Sequence, residues 1–175
     1  MLTRIRQVLA AWTARITPED HIFVENHLNA KEQGLFWRMN LPDQRHALNV
    51  AYTSKQLAAH QAGINQNLLL RCALLHDVGK VYGDVSTLDK IITVMAHKLA
   101  PQWAKQWGRE GRGGKIRNLR HAFYIYFHHP ARSASFLQAI GASPAEVEII
   151  ARHHKAPAKN DPPELGILRE ADNLH

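Results

Sequence analysis

The stretch Leu74-Leu75-His76-Asp77-Val78-Gly79-Lys80 places a histidine and an aspartate side by side at the end of an apolar run. The run and its flanks predict a buried helix over residues 66 to 78, with Asn65 as its N-cap and Gly79 at its C-terminal end. Burial of the Asp77 carboxylate without a partner is strongly unfavourable. The stretch therefore predicts that a metal ion, an arginine or a backbone cap meets Asp77 at the centre of the fold.

Helical periodicity continues along the rest of the chain, and no segment has the pattern of a strand. Apolar residues recur at three- and four-residue steps between residues 43 and 61, where His46 shares the apolar face. Further helices are predicted over 87–99, 116–128, 130–140 and 144–154, and a last one carries Leu165, Leu168 and Asp172. Pro101 and Pro130 are predicted to separate helices. The fold class is therefore all-α, in a single domain.

The first 40 residues are predicted to form an N-terminal helical extension packed on the core, with the main domain over 41–175. Residues 2 to 16 alternate apolar and basic side chains with a helical period. A peripheral helix packed on the domain is the preferred interpretation, and a helix lying on a membrane surface is the alternative.

Bulk composition restricts the class of protein. The chain has 175 residues, 45% of them apolar, which is long and apolar enough for one globular core. The net charge of +7 favours anionic partners such as nucleotides, nucleic acids or acidic lipids. The lone cysteine, Cys72, excludes an intramolecular disulfide and favours a reducing cytoplasm. No apolar stretch approaches the length of a transmembrane helix, and the first residues lack the long apolar segment and the cleavage site that are typical of a signal peptide.

The chain contains 12 histidines, and several of them fall with aspartates at the buried ends of predicted helices. These residues are His46, His76, Asp77, His129, His153, His154 and Asp172. Imidazole and carboxylate together suit transition metals better than calcium or magnesium. Two such metals about 3.5–4 Å apart can share a carboxylate and a hydroxide, and the hydroxide can attack a phosphate ester.

The same residues, in this order and with their neighbours, resemble the HD superfamily of metal-dependent phosphohydrolases. The matching stretches are Arg45-His46-Ala47-Leu48-Asn49-Val50-Ala51, Leu74-Leu75-His76-Asp77-Val78-Gly79-Lys80, His129-Pro130, Ile150-Ala151-Arg152-His153-His154 and Glu170-Ala171-Asp172. The resemblance spans residues 43 to 174. It implies an all-helical domain with a metal site in its middle.

The resemblance also implies roles for individual residues. His46, His76, Asp77 and Asp172 would hold one metal, and Asp77 would bridge to a second held by His129, His153 and His154. This fuller set is similar to the dinuclear branch of the superfamily, in which iron or manganese is favoured over zinc, nickel or cobalt. Asp77 and Lys80 would be catalytic residues, and Lys80 would contact a substrate phosphate unless it is an ordinary helix-terminal lysine. Arg45 and Arg132 are further candidates for phosphate binding, with an exposed ion pair as the alternative for each.

The implied activity is hydrolysis of a nucleotide or a related phosphate ester or anhydride by a metal-bound hydroxide. The Gly-Tyr-Pro motif of the cyclic di-GMP branch is absent after His153-His154, and Pro42 stands where a third metal would need a glutamate. The Glu-Asp pair of the guanosine tetraphosphate hydrolases is not evident near Lys80. A catalytically slow nucleotide-sensing module is the alternative. A nucleic-acid binder rests on charge alone, since no binding motif is present.

Two other features carry weaker predictions. The polar, glycine-rich segment 108–115 is predicted to be a solvated loop, with a lid over a phosphate as the alternative. Trp103 and Trp107 lie one helical turn apart and are predicted to pack in the core. His128 is interpreted as a neighbour of the site or a surface residue, and His121 as facing either the site or solvent.

Overall fold

The computed structural model describes residues 14–175, apart from the side chain of Thr87. Within that range the chain folds into helices joined by short loops, and the only β-type pairing is an isolated bridge between Met39 and Val81. The all-α prediction is thus confirmed. The helices are α1 (Pro18–His27), α2 (Ala30–Phe36), α3 (Leu41–Ala58), α4 (Gln66–Leu75), α5 (Thr87–Leu99), α6 (Pro101–Trp107), α7 (Lys115–Ala139), α8 (Pro144–Arg152) and α9 (Pro163–Leu174).

Reciprocal capping boxes begin three of these helices. Ser143 accepts a hydrogen bond from the Glu146 backbone, and its own N–H donates to the Glu146 carboxylate at 2.9 Å. Thr17 and Asp20 form the same arrangement at the start of α1. A third box begins α2 at Asn29. Each box satisfies backbone N–H groups that have no partner inside the helix, and so determines where the helix begins.

Helix α4 is the centre of the core, as its apolar sequence predicts. Leu69, Leu74 and Leu75 are fully buried. The helix packs against α1, α2, α3, α8 and α9. Val24 of α1 and Phe36 of α2 belong to the same apolar cluster. The helices that precede residue 41 therefore contribute to the core itself, and the division of the chain at that residue stays a prediction.

An arginine of α4 ties two capping boxes to this core. Arg71 contacts Glu32, the third residue of α2, and Glu146, the third residue of α8. Both carboxylates are buried. Because each glutamate also caps its own helix, one guanidinium fixes the N-terminal ends of α2 and α8 relative to α4. Sequence patterns do not reveal these contacts, because Arg71 is 39 residues from Glu32 and 75 residues from Glu146 along the chain.

The structure corrects four local predictions. Helix α4 ends at Leu75 rather than at residue 78, and His76 is its C-cap. The helices predicted over 116–128 and 130–140 are one continuous helix, α7, with Pro130 inside it. A short additional helix, α6, follows Pro101. Trp103 of that helix is 52% exposed, so its predicted core position is wrong, although its ring stacks on that of Trp107.

The predicted helix over residues 2 to 16 lies mostly outside the described residues. Residues 14 to 17, which belong to the described part, precede α1 without helical structure. No helix within residues 14–175 combines the length and the apolar content that crossing a bilayer requires.

Candidate metal centre

Five helices bring the predicted histidines and aspartates together. His46 lies on α3, His129 on α7 and Asp172 on α9. The pairs His76-Asp77 and His153-His154 directly follow the C-terminal ends of α4 and α8. The sequence separates the first and last of these residues by 126 positions, yet His46 Nε2 lies 3.0 Å from Asp172 Oδ1.

Asp77 is the residue around which the others are arranged. Its Oδ1 atom lies 3.2 Å from His129 Nε2. Its Oδ2 atom lies 2.6 Å from Lys80 Nζ and 3.4 Å from His76 Nε2. The side chain of Asp77 is 1% exposed, and the Lys80 ammonium group donates a hydrogen bond to Oδ2 in place of water.

Three groups of three side chains could each hold a metal ion, because within each group the ligand atoms lie within 4.8 Å of one another. The groups are His46, His76 and Asp172; His129, His153 and His154; and His76, Asp77 and His153. The first two groups share no residue, and the third lies across both. The arrangement is therefore compatible with metal binding at two adjacent positions.

Backbone carbonyls orient three of the buried rings. The Nδ1 atoms of His76, His129 and His153 lie 2.8, 2.9 and 2.7 Å from the carbonyl oxygens of Ala73, Tyr126 and Ile150. A carbonyl oxygen can only accept, so each Nδ1 carries the hydrogen. In the neutral ring the Nε2 lone pair is then available, which is the usual arrangement of metal-binding histidines.

The Nε2 atoms of these three rings test whether the site fits a metal. All three are buried and have no hydrogen-bond partner among the described residues, and the same is true of Asp77 Oδ1. A neutral His129 thus directs a lone pair at a carboxylate oxygen 3.2 Å away. Two facing lone pairs repel, and a cation between them removes the repulsion. The donor set therefore fits a divalent transition metal.

The electrostatics of the site divide the histidines into two kinds. Burial lowers the pKa of His153 to about 3 and that of His129 well below its usual value, with nearby cationic groups contributing, so both rings are neutral. His76 is different, because Asp77 and Asp172 outweigh its burial and raise its pKa to about 9. For Asp77, Lys80 and the surrounding histidines outweigh burial and hold the pKa well below its usual range.

Proline at position 130 explains how His129 obtains its orientation. Pro130 has no N–H, so it cannot donate to the Tyr126 carbonyl four residues earlier as a helical residue would. His129 Nδ1 donates to that carbonyl instead. Helix α7 continues through Pro130. The bond from His129 to Tyr126 therefore replaces the missing backbone bond and also fixes the orientation of the imidazole ring.

Glycine 79 allows the turn after Asp77 to lie directly on α7. A Cβ atom at this position would come within 2.6 Å of the His129 carbonyl oxygen and 2.9 Å of the Ser133 nitrogen. The Gly79 N–H donates to Ser133 Oγ at 2.8 Å. The glycine therefore serves close packing between two ligand-bearing segments, and not the left-handed helix end that its position suggested.

Arg45 and Arg132, which were predicted to bind phosphate, both form ion pairs. Arg45 donates to the two carboxylate oxygens of Asp20 at 2.6 and 3.2 Å, and Arg132 donates to Asp84 at 2.5 Å. Each residue thus forms the ion pair of the alternative interpretation, although neither pair is exposed as that interpretation expected. A role in phosphate binding stays a prediction, and it would require the guanidinium group to leave its acidic partner.

The two histidines left open by the sequence lie apart from the ligand groups. His121 is buried, its Nδ1 accepts from the Gly111 N–H at 3.3 Å, and Asp84 lies 3.9 Å from its Nε2. His128 is exposed and stacks on Tyr124. His121 thereby anchors the glycine-rich loop to α7.

A cavity of about 300 Å³ opens beside the metal-ligand groups. Its lining includes His153, His154 and Asp172, together with Lys155 and Arg169. No sequence motif predicts a role for Lys155 or Arg169. Arg169 is engaged by Asp161 at 2.5 Å, whereas the Lys155 side chain is exposed.

Comparison with known families agrees with this geometry. The model of the HD domain family matches residues 44–175, which includes every candidate ligand. The chain belongs to the HD domain family, and the members of this family are in general metal-dependent phosphohydrolases. Comparisons with curated proteins and with solved structures gave no match.

Proposed function

We propose that this protein is a metal-dependent phosphatase or phosphodiesterase that hydrolyses a nucleotide or a related phosphate ester or anhydride. The observation that carries the proposal is the set of buried, unpartnered atoms formed by Nε2 of the neutral rings of His129 and His153 and by Asp77 Oδ1. Such a set is costly for a folded protein unless a cation binds there.

The proposed ligands form two sets that meet at Asp77. His46, His76, Asp77 and Asp172 would hold one metal, and Asp77, His129, His153 and His154 the other. The two disjoint groups of ligand atoms support this division. When bound, divalent metals supply Lewis-acid stabilisation of phosphoryl oxygens and an activated water as nucleophile. We expect iron or manganese, since imidazole and carboxylate ligands suit both.

Lys80 has two parts in this proposal. Its ammonium group holds the Asp77 carboxylate at 2.6 Å and keeps it ionised. Its side chain is also 23% exposed, and in this proposal the same group contacts a substrate phosphate at the edge of the site. A positive charge fixed there would favour the more negative transition state of phosphoryl transfer.

The surroundings of the site favour a small anionic substrate. The chain carries a net charge of +7, and the adjacent cavity of about 300 Å³ is comparable in size with small-molecule sites. Lys155, an exposed cation, lines that cavity together with His153, His154 and Asp172. These features support a nucleotide-sized phosphate.

A substrate panel tests the proposed activity. Protein loaded with manganese or iron should hydrolyse members of a panel of nucleotides, phosphomonoesters and phosphodiesters, and a chelator should abolish the reaction. Lys80→Met should retain metal while kcat/KM falls about 100-fold or more. His60→Ala changes an exposed histidine outside the site and should match wild type. Absence of turnover on every substrate with metal bound would contradict the proposal.

Metal analysis tests the two-metal arrangement separately. The double variant His153→Ala and His154→Ala should lose one of two metals and retain the other on His46, His76 and Asp172. A single metal per chain in the fully loaded wild type would contradict the dinuclear arrangement, while leaving phosphate hydrolysis itself open to the first test.

A further inference from the structure

The apolar face of the amphipathic helix α5 is exposed to solvent. Leu88, Met95 and Leu99, with the consecutive pair Ile91 and Ile92 between them, form one stripe along the helix, because each is three or four residues from another member. Every residue of this stripe is exposed, from 40% for Ile91 to 82% for Leu99. The stripe is about 16 Å long.

Polar residues of α5 face the protein instead. Thr93 is 1% exposed, and the His97 ring contacts those of Tyr126 and Phe127 on α7. Lys90 donates to Asp43 of α3 at 2.7 Å. These contacts fix the orientation of the helix, and its apolar stripe therefore faces solvent.

Two further large apolar side chains are exposed in the helices that follow α5. Trp103 of α6 is 52% exposed and follows Leu99 by four residues. Ile116, in the first turn of α7, is 72% exposed. An exposed tryptophan beside exposed aliphatic side chains is typical of surfaces that enter the interface between lipid headgroups and acyl chains.

Exposed cations border this surface. Residues 98 to 117 contain six lysines and arginines and a single acid, Glu110, so they carry +5 of the chain's net charge of +7. The six are Lys98, Lys105, Arg109, Arg112, Lys115 and Arg117, and all are exposed. None of them forms an ion pair with another described residue. Their charge is therefore available to an anionic partner.

From this combination we infer that the face formed by α5, α6, the loop 108–114 and the first turn of α7 binds the surface of a membrane that contains anionic lipids. The apolar stripe would enter the interface, and the six cations would meet the headgroups. Charge complementarity selects this occupant. A second copy would place two strongly basic segments opposite each other, and a nucleic acid would leave the apolar stripe exposed. The inference is independent of the proposed hydrolysis.

Vesicle sedimentation with the full chain tests the inference. We expect binding to phosphatidylcholine vesicles with about 30% phosphatidylglycerol, little binding to pure phosphatidylcholine, and weaker binding as salt rises above about 0.1 M. Met95→Gln with Leu99→Gln should weaken binding about tenfold or more. Arg112→Gln with Lys115→Gln should weaken it to a similar degree.

Matched control variants distinguish binding through this face from non-specific binding of the protein to vesicles. Ile22→Gln with Leu174→Gln changes two apolar residues of similar exposure elsewhere, and Lys31→Gln with Lys159→Gln changes two other exposed cations. Both should bind like wild type. Absence of vesicle binding, or equal losses in the controls, would overturn the inference. So would a wild-type dimer that Met95→Gln with Leu99→Gln dissociates, since the stripe would then be an interface between copies.

Discussion

The Nδ1 atom of His129 donates to the carbonyl oxygen of Tyr126 at 2.9 Å. This bond occupies the acceptor that Pro130 leaves without its usual helical donor. It also leaves His129 Nε2 as a lone-pair donor 3.2 Å from Asp77. One residue that would be expected to break a helix therefore helps to orient a candidate metal ligand.

Replacing this proline should separate stability from metal affinity. Pro130→Ala restores an N–H inside α7, so the metal-free protein should gain about 1 kcal/mol or more in free energy of unfolding. The new N–H competes with His129 for the Tyr126 carbonyl, so metal affinity should fall about tenfold. Chemical denaturation and chelator competition measure the two effects. Unchanged metal affinity would show that the carbonyl bond does not prepare His129.

Adding one methyl group at Gly79 should destabilise the protein and disturb the site. The new Cβ would meet backbone atoms of His129 and Ser133 at 2.6 and 2.9 Å, and backbone cannot move aside cheaply. We expect Gly79→Ala to lower the free energy of unfolding by about 1–3 kcal/mol. Denaturant unfolding of metal-free protein measures this loss.

Gly166 on α9 provides the matched control for that substitution. A Cβ at this position meets nothing within 4 Å, so Gly166→Ala should stabilise the protein by about 0.5–1 kcal/mol. Equal effects of the two substitutions would contradict the assigned role of Gly79.

The contact between Tyr52 and Asp20 should be visible at alkaline pH. The Tyr52 hydroxyl donates to Asp20 Oδ1 at 2.8 Å, and burial together with that carboxylate raises the pKa of Tyr52 to about 12 from 10. The folded protein therefore holds this proton more tightly than the unfolded chain. Its contribution to stability is complete below pH 10 and is lost as the pH rises to about 12.

Tyr52→Phe isolates this contribution from other groups that titrate at high pH. The free energy of unfolding of wild type should exceed that of the variant at neutral pH by about 1 kcal/mol. The difference should shrink between pH 10 and 12. A difference that stays constant across that range would contradict the assigned contact.

The sequence was most informative where local rules act. Capping pairs such as Ser143 and Glu146 are three residues apart, and helical periodicity identified α4 as the central helix. The candidate ligands were found because histidine and aspartate on apolar helix faces are chemically conspicuous. The family resemblance supplied their order, and the structure brings all seven side chains into one cluster.

Features that depend on tertiary contacts were missed or predicted wrongly. Pro130 lies inside a helix because His129 replaces the lost backbone donor, and helix-breaking rules do not include that compensation. The contacts of Arg71 join segments far apart in the chain. The stripe of α5 has the pattern of a buried face, and periodicity alone cannot tell which side of a helix the protein covers.

The central claim is that Asp77 and its surrounding histidines bind metal for phosphate hydrolysis, and one comparison tests it most directly. Wild type and Asp77→Asn, loaded with manganese under the same conditions, are assayed on the best substrate of the panel. We expect turnover by Asp77→Asn to be about 1,000-fold or more below that of wild type, because the amide cannot supply the negative charge that Asp77 would share between the two ligand sets. Turnover equal to that of wild type would contradict it.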